Sequence, residues 1–477
     1  MTQRHDISRA AMSASRINRR RLLRAGAAAS GMAAFGMIPS TIRAGQFVQA
    51  NTTINILAPG WPMNNKEMAQ AELWSQQSGI AVNYEAVSYG TLEQRVKILV
   101  EGKSADYDIY DYDSQWIGGF VTADVLQQLD TPDFLGSASA TITMEDFYPE
   151  ITGRVVRYPA TEGETAVGGG TSPVYGLPWS LNCEVLWYRT DLMDAPPATW
   201  AELQAKAKEL TKDGMYGYAT QGGRDADWII SEFAPIAWSN GGSLWDPATY
   251  TAQGVLNSPS NVASLQQLVD MVNTDKSIDP ASANWTINER LGALLTGTAA
   301  MCLNWAPLFG GVADGPDSAV AGNIGYAVSP AGTAGQAALI GCQGTGINAY
   351  SQNKEAAWQY LQFFQSKENQ AALQADAPSG YVSARNDLRD QATQPWQQVF
   401  LDSIPVLKDI WNIPEYAQLL QVLQTELNLA YVGGKSAQDA LDNAALAQQA
   451  VLDSAPRPEP ATPSASPVAS PVASPTA

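Results

Sequence analysis

Between Thr53 and Tyr112 the apolar residues switch back and forth between strand and helix spacing, and this succession limits the folds open to the chain more than any other feature. Thr53 to Ala58 reads as a short strand closed by Pro59-Gly60. Lys66 to Gln77 reads as a helix, stopped by Gly79 at the position after a helix that glycine favours. Ile80 to Ala86 alternates again, with Val82 and Tyr84 on one side. Leu92, Val96, Leu99 and Val100 then recur at helical spacing before Gly102, and Asp108 to Tyr112 makes a third strand. The order β-α-β-α-β predicts a mostly parallel sheet with right-handed crossovers. At 477 residues the chain is too long for one compact core, so two lobes are expected.

Open α/β sheets bind ligands outside the carboxyl ends of their strands. Trp61 lies just past the first strand and Asp113-Ser-Gln-Trp116 just past the third, so both loops are expected at one edge. Aromatic faces beside short polar side chains suit sugars, whose rings present an apolar C–H face and a rim of hydroxyls. The aspartates at 106, 108, 111 and 113 lack the glycine-turn spacing of a calcium loop, and a solvated strand edge is expected for most of them.

Charge and residue usage narrow the function. The formal charge is -19, but residues 1–44 hold eight Arg and one Asp; the remainder has 20 basic and 46 acidic residues, or -26. Nucleic acid and anionic membrane are poor partners for such a surface. The single histidine is His5, so beyond the first segment there is no Ser-His-Asp or Cys-His machinery and no imidazole metal ligand. There is no Gly-x-Ser-x-Gly elbow, and Gly168-Gly169-Gly170 lacks the Lys-Ser/Thr of a phosphate loop. Only a carboxylate pair would leave catalysis open, so the chain is expected not to be an enzyme and to need no metal or cofactor. Cys183, Cys302 and Cys342 lack metal-ligand spacing, allow at most one bridge, and are expected as buried thiols.

Val174 to Leu192 opens with a Gly-Leu-Pro turn and runs into an extended apolar stretch from Val185 to Tyr188, a candidate hinge between differently built regions. Beyond it helices dominate. Thr199-Trp-Ala-Glu202 is a capping box opening a helix through Leu210, Leu265, Leu268, Val269 and Val272 mark a second, and Ala357, Tyr360, Leu361 and Phe364 a third.

Tyr175-Gly-Leu-Pro178 followed by Leu186-Trp-Tyr-Arg-Thr-Asp-Leu192 resembles the first interlobe crossing of family 1 extracellular solute-binding proteins, the maltose-binding-protein group. Asp108-Ile-Tyr-Asp-Tyr-Asp-Ser-Gln-Trp116, Thr298-Ala-Ala-Met-Cys-Leu-Asn-Trp305, Ile340 to Ile347 and Ser379-Gly-Tyr-Val-Ser-Ala-Arg385 extend the resemblance over about residues 53 to 450. It implies an α/β, two-lobe periplasmic-binding-protein-like fold with three interlobe crossings, the third carrying Val382-Ser383 where proline is commoner. It also implies a monomer that closes over a small ligand, expected to be a carbohydrate, and delivers it to the permease subunits of an ABC importer. The ligand-binding residues it implies, together with those read above, are Trp61, Tyr112, Asp113, Gln115, Trp116, Trp179, Asn182, Asn240, Trp305, Gly344 and Tyr381. A binding protein for another solute, a sensor of the same fold and a carboxylate-pair glycoside hydrolase are the competing readings.

The termini read differently. Asn18-Arg-Arg-Arg-Leu-Leu-Arg24 resembles a twin-arginine export motif, followed by a weakly apolar run from Ala25 to Ile38 that is too short for a comfortable membrane span. Residues 1–44 are therefore expected to direct export to the periplasm or the outer face of the envelope. Lobe 1 is expected from 45–180 and 341–379, lobe 2 from 181–340 and 380–454, and a disordered Pro/Ser/Ala tail from 455–477.

Overall fold

The computed structural model describes residues 52–61, 63–160, 172–376 and 380–455, so the expected export signal and all but the first residue of the expected tail lie outside the described residues. Lobe 1 begins with β1 (Thr53–Pro59), α1 (Asn64–Ser78), β2 (Ala81–Val87), α2 (Tyr89–Glu101) and β3 (Ile109–Asp113). Gly79 ends α1 at φ 77°, its N–H bonded to the Ser75 carbonyl, a left-handed turn that glycine makes without a Cβ penalty. β1 pairs in parallel with β2, Ile54 opposite Val82, and with β3, Ile56 opposite Ile109. α3 (Ile117–Thr122), α4 (Pro149–Val155) and β4 (Leu177–Ser180) follow.

The chain then crosses. β5 (Cys183–Arg189) belongs to a second sheet, and α5 (Trp200–Leu210), α6 (Trp228–Ser239), α7 (Pro259–Asn273), α8 (Ile287–Leu295), β6 (Met301–Ala306) and β7 (Ile324–Ala327) build lobe 2 around it. Thr199 accepts from the Glu202 N–H at the start of α5, and the Glu202 carboxylate takes the Ala198 N–H at 2.8 Å. The second sheet is antiparallel, in the order β6-β5-β7. β8 (Ala338–Leu339) leads back to β9 (Gln343–Ile347), which completes the first sheet in the order β2-β1-β3-β9-β4 and lies antiparallel to both β3 and β4. α9 (Lys354–Phe364) and α10 (Lys367–Ala375) pack on lobe 1. α11 (Pro395–Ser403) packs on the lobe 2 sheet, β10 (Leu407–Lys408) pairs with β8, and α12 (Tyr416–Tyr431) and α13 (Ala437–Ser454) close lobe 2 against α6 and α7. No helix among the described residues is long and apolar enough to cross a membrane.

Two expectations change. The aspartates of the third strand are not on a solvated edge: β3 lies inside the sheet between β1 and β9, and Asp108, Asp111 and Asp113 are buried. Asp108 ties loops together there, accepting from the Asn55 N–H at 2.8 Å and the Ser351 hydroxyl at 2.5 Å. The third crossing also falls later than residues 379–380. Arg385 bonds the Gln365 carbonyl and pairs with Asp146 and Asp387, and the short helix Asn386–Gln391 packs on α10, so this stretch stays with lobe 1 until α11. The three cysteines are buried and free, and burial pushes the Cys183 and Cys302 thiols up to about 12.

Candidate functional site

The carboxyl ends of β1, β2 and β3 point to one edge of the lobe 1 sheet, and each is followed by a residue that lines the cleft. Trp61 follows β1; its N–H bonds the Asn64 side chain at 3.2 Å, which fixes the loop to the start of α1. Tyr89 opens α2 after β2, and Asp113 ends β3. The Tyr89 hydroxyl donates to Asp113 Oδ2 at 2.9 Å, while Asp113 Oδ1 accepts the Ser114 N–H at 2.9 Å. The rings of Trp61 and Tyr89 lie 5.7 Å apart, and Tyr89 continues to Trp116 at 5.3 Å and Trp228 at 6.3 Å.

Lobe 2 supplies the opposite wall. Asp227 and Trp228 stand at the start of α6, and Trp305 lies near the end of β6. Gln115 Nε2 reaches Asp227 Oδ2 at 3.4 Å, a direct bond from one lobe to the other. The floor is made by two crossings bonded side by side: Asn182 Nδ2 donates to the Gly341 carbonyl at 2.8 Å, and the Gly341 N–H returns to the Asn182 carbonyl at 2.9 Å. A Cβ at Gly341 would fall 2.4 Å from both the Trp305 ring and Asn182 Oδ1, so only glycine lets these two side chains reach the floor. Roughly 400 Å3 within the cleft is free of protein atoms, a figure that includes space open to solvent.

Its electrostatics are one-sided. Burial first, then the charge of Asp227, push the Asp113 carboxyl well above the usual carboxylate range, with Asp409 behind it adding a smaller push; the Tyr89 hydroxyl and Ser114 N–H pull the other way. Among the described residues lining the cleft there is no lysine, arginine or histidine. Gln343 is also buried there, and its Oε1 accepts no hydrogen bond.

Of the residues singled out from the sequence, Trp61, Asp113, Gln115, Asn182 and Trp305 come together around this cleft. Trp116 stands behind Tyr89, packs on Phe120 at 6.1 Å, and lines an adjoining solvent-open pocket with Ile413 and Tyr416; Gln115 lines both. The other five lie elsewhere. Tyr112 alternates to the other side of β3 from Asp113 and packs on Phe120, with Gly344 against its ring, since a Cβ there would sit 2.5 Å from it. Trp179 is buried in lobe 1 against Phe364. Tyr381 is buried with its hydroxyl on Gln370 at 2.7 Å. Asn240 caps the end of α6, accepting from the Thr333 N–H at 3.1 Å and donating to the Ser264 hydroxyl at 3.1 Å.

Tyr89, Asp227, Trp228 and Gln343 were not singled out. Tyr89 was within reach, because it follows the end of β2 as Trp61 follows β1. Asp227 and Trp228 arrive from a loop beyond Gly222-Gly223 that carries no strand-end signal.

Residues 64–371 match the family described as bacterial extracellular solute-binding protein. A Deinococcus radiodurans protein named "Probable ABC transporter-binding protein" is 27% identical over 303 residues, covering 60% of this chain and 66% of its own length. A Sinorhizobium fredii protein named "Probable amino-acid ABC transporter periplasmic-binding protein y4oP" is 22% identical over 302 residues, 62% of this chain and 64% of its own length. The chain thus spans just under two thirds of these relatives. Among solved structures, maltose-bound T. maritima MalE3 superposes with a TM-score of 0.72 at 22% identity, covering 84% of this chain and all of that one, and so shares the two-lobe fold.

Proposed function

This chain belongs to the bacterial extracellular solute-binding proteins, and from that premise we propose that it captures a sugar or sugar-like polyol between its lobes and passes it to the membrane subunits of an ABC importer. The observation that carries the reading is the ring of aromatic side chains drawn from both lobes, Trp61 and Tyr89 from one and Trp228 and Trp305 from the other, set around one cleft with Asp113, Gln115 and Asn182. Rings on two sides stack on the C–H faces of a pyranose or furanose, and the carboxylate and amides take its hydroxyls. Because the contributing groups sit on both lobes, the ligand binds the closed form better than the open one, which is what drives closure. Export through the Arg19-Arg20 motif and residence outside the cytoplasm belong to the same proposal.

A thermal-shift screen against sugars, polyols and amino acids tests it, since a ligand that binds only the folded chain raises the melting temperature with the logarithm of its concentration. A sugar or polyol is expected to give the shift without being turned over. Trp305→Ala is expected to weaken that ligand by about tenfold or more, since the lost ring contact and buried area are worth on the order of 1.5 kcal/mol. A shift with amino acids alone would replace the carbohydrate reading with that of an amino-acid carrier.

A further inference from the structure

The lobe 2 wall of the cleft is held from behind. Arg290 on α8 is fully buried and does not line the cleft. Its Nη1 donates to Glu184 Oε1 on β5 at 2.7 Å and to Glu232 Oε1 on α6 at 2.8 Å, and its Nη2 reaches Asn304 Oδ1 on β6 at 3.5 Å. One guanidinium thus joins four elements, and a cleft residue lies close to each joint. Ile287 stands three residues before Arg290, Trp228 four before Glu232, Asn182 two before Glu184, and Trp305 directly after Asn304. Asn304 Oδ1 also accepts the Trp305 N–H at 2.8 Å, and Glu184 stands opposite Trp305 in the β5–β6 register. A second path runs from α6 to β6: the Tyr218 hydroxyl donates to Glu232 Oε2 at 3.4 Å and accepts the Leu303 N–H at 3.3 Å. The lobe 1 wall is tied within the cleft itself, through the bonds of Tyr89 to Asp113 and of Gln115 to Tyr89.

We infer that Arg290 is a positioning residue for the binding cleft, its forked contacts to Glu184, Glu232 and Asn304 setting where the Trp228 and Trp305 rings stand; the inference rests on this cleft as the ligand site, but not on which solute fills it. Stability alone is a poor reason for such a cluster, because well-packed apolar side chains of similar volume in place of a buried ion cluster are often as stable or more so. What apolar contacts lack is direction. The guanidinium is planar, with its donors at fixed angles, so it admits one arrangement of the groups around it. An apolar core repacked to the same volume loses uniqueness before it loses stability. Burial raises both acids, Glu184 to about 8, yet the contacts survive a proton on one of them, since a neutral carboxyl still accepts a hydrogen bond.

The consequence for function is geometric. A ligand held between two lobes meets rings on both sides, and a binding constellation works only when its members are kept within about 0.5 Å of the productive arrangement by the groups that support them. Trp228 and Trp305 come from different elements, a helix and a strand, and the Arg290 cluster is the polar link between the two.

The test separates position from stability. The full-length chain is labelled with 5-fluorotryptophan, its fluorine resonances are assigned by single Trp→Phe changes, and wild type is compared with the triple variant Glu184→Met, Glu232→Leu, Arg290→Met. The variant is expected to unfold at a denaturant concentration no lower than wild type. Its Trp228 and Trp305 resonances are each expected to split or broaden as the two rings take up several positions. Trp179, buried in lobe 1 against Phe364, and Trp245, packed on Tyr250 in lobe 2, should keep their single wild-type lines. Arg290→Lys, which keeps the charge and loses the fork, should disturb the same two resonances. Single, unbroadened lines from Trp228 and Trp305 in the triple variant, however displaced, would overturn the inference. So would equal broadening of Trp245, or failure of the triple variant to fold, since the cluster would then hold the lobe as a whole and not its wall. The readout needs no ligand, so a carbohydrate reading that fails in the thermal-shift screen leaves it standing.

Discussion

Each lobe buries a pair of carboxylic acids, and the two lobes treat them differently. In lobe 2, Glu184 and Glu232 close on Arg290, whose Nη1 lies 2.7 and 2.8 Å from them, all three side chains at or below 1% exposed. In lobe 1, Glu67 on α1 and Asp111 on β3 are equally buried, and among the described residues no cation lies between them. The groups that face Glu67 there are neutral donors: Asn64 on its own helix and the Tyr84 hydroxyl on β2, with Thr345 on β9 beside Asp111 and Tyr360 on α9 nearby. Burial raises the acids in both lobes, Glu67 to about 7 and Glu184 to about 8, so even an arginine does not offset the loss of water around two carboxylates. Lobe 2 holds a guanidinium between its acids as well as a raised carboxyl, whereas lobe 1, among the described residues, balances its pair with protons alone. The two should therefore respond to pH in opposite senses when each is cut.

The largest effect is expected from Arg290→Met. Removing the only cation from a buried cluster leaves two carboxylates uncompensated, a loss of about 3–5 kcal/mol in chemical unfolding at pH 8. At pH 5 both glutamates can take protons, so the loss should shrink; an equal loss at both pH values would mean that Arg290 contributes packing and not charge.

Glu67→Gln should act the other way. The folded value of Glu67 lies above its unfolded one, so its contribution to stability is fully present below about 4.5 and is lost as the pH rises toward 7. The amide cannot ionise, so the variant should match wild type near pH 4.5 and exceed it at pH 8 by on the order of 2 kcal/mol. A variant weaker than wild type at pH 8 would show that the lobe 1 pair is held by a charge the geometry does not reveal.

Neither pair could be read from the sequence, and the reason bears on the cleft as well. The β-α-β-α-β order was legible because it follows from period and turn chemistry along the chain, and the loops holding Trp61 and Asp113 followed from it. What a given side chain faces depends on the layer beyond it. Asp111 and Asp113 sit on one strand at positions that alternation puts on the same side, yet one packs toward α1 and the other ends at the cleft. Trp179 and Tyr381 lie beside crossings in the chain and point into the lobe. Asp227 and Trp228 reach the cleft only because α6 is carried there by the second lobe, a placement no local pattern encodes. The expectation of solvated aspartates failed for a related reason: β9 comes from more than 200 residues later and covers the flank of β3 that the N-terminal segment leaves open.

The smallest effect sharpens the contrast most. The Tyr84 hydroxyl donates to Glu67 and receives the Asn64 amide at 2.8 Å, so it stabilises the ionised form of an acid that has no cation. Tyr84→Phe is expected to cost about 0.5–1 kcal/mol near pH 5, where the bond is between neutral groups, and about twice that at pH 8, where it is charge-assisted. In a Glu67→Gln background the charge-assisted part has no source, so the pH dependence of the Tyr84→Phe loss should vanish while a pH-independent remainder persists. If that dependence survives in the double variant, Asp111 and not Glu67 carries the proton, and the lobe 1 pair is organised around β3 instead of α1.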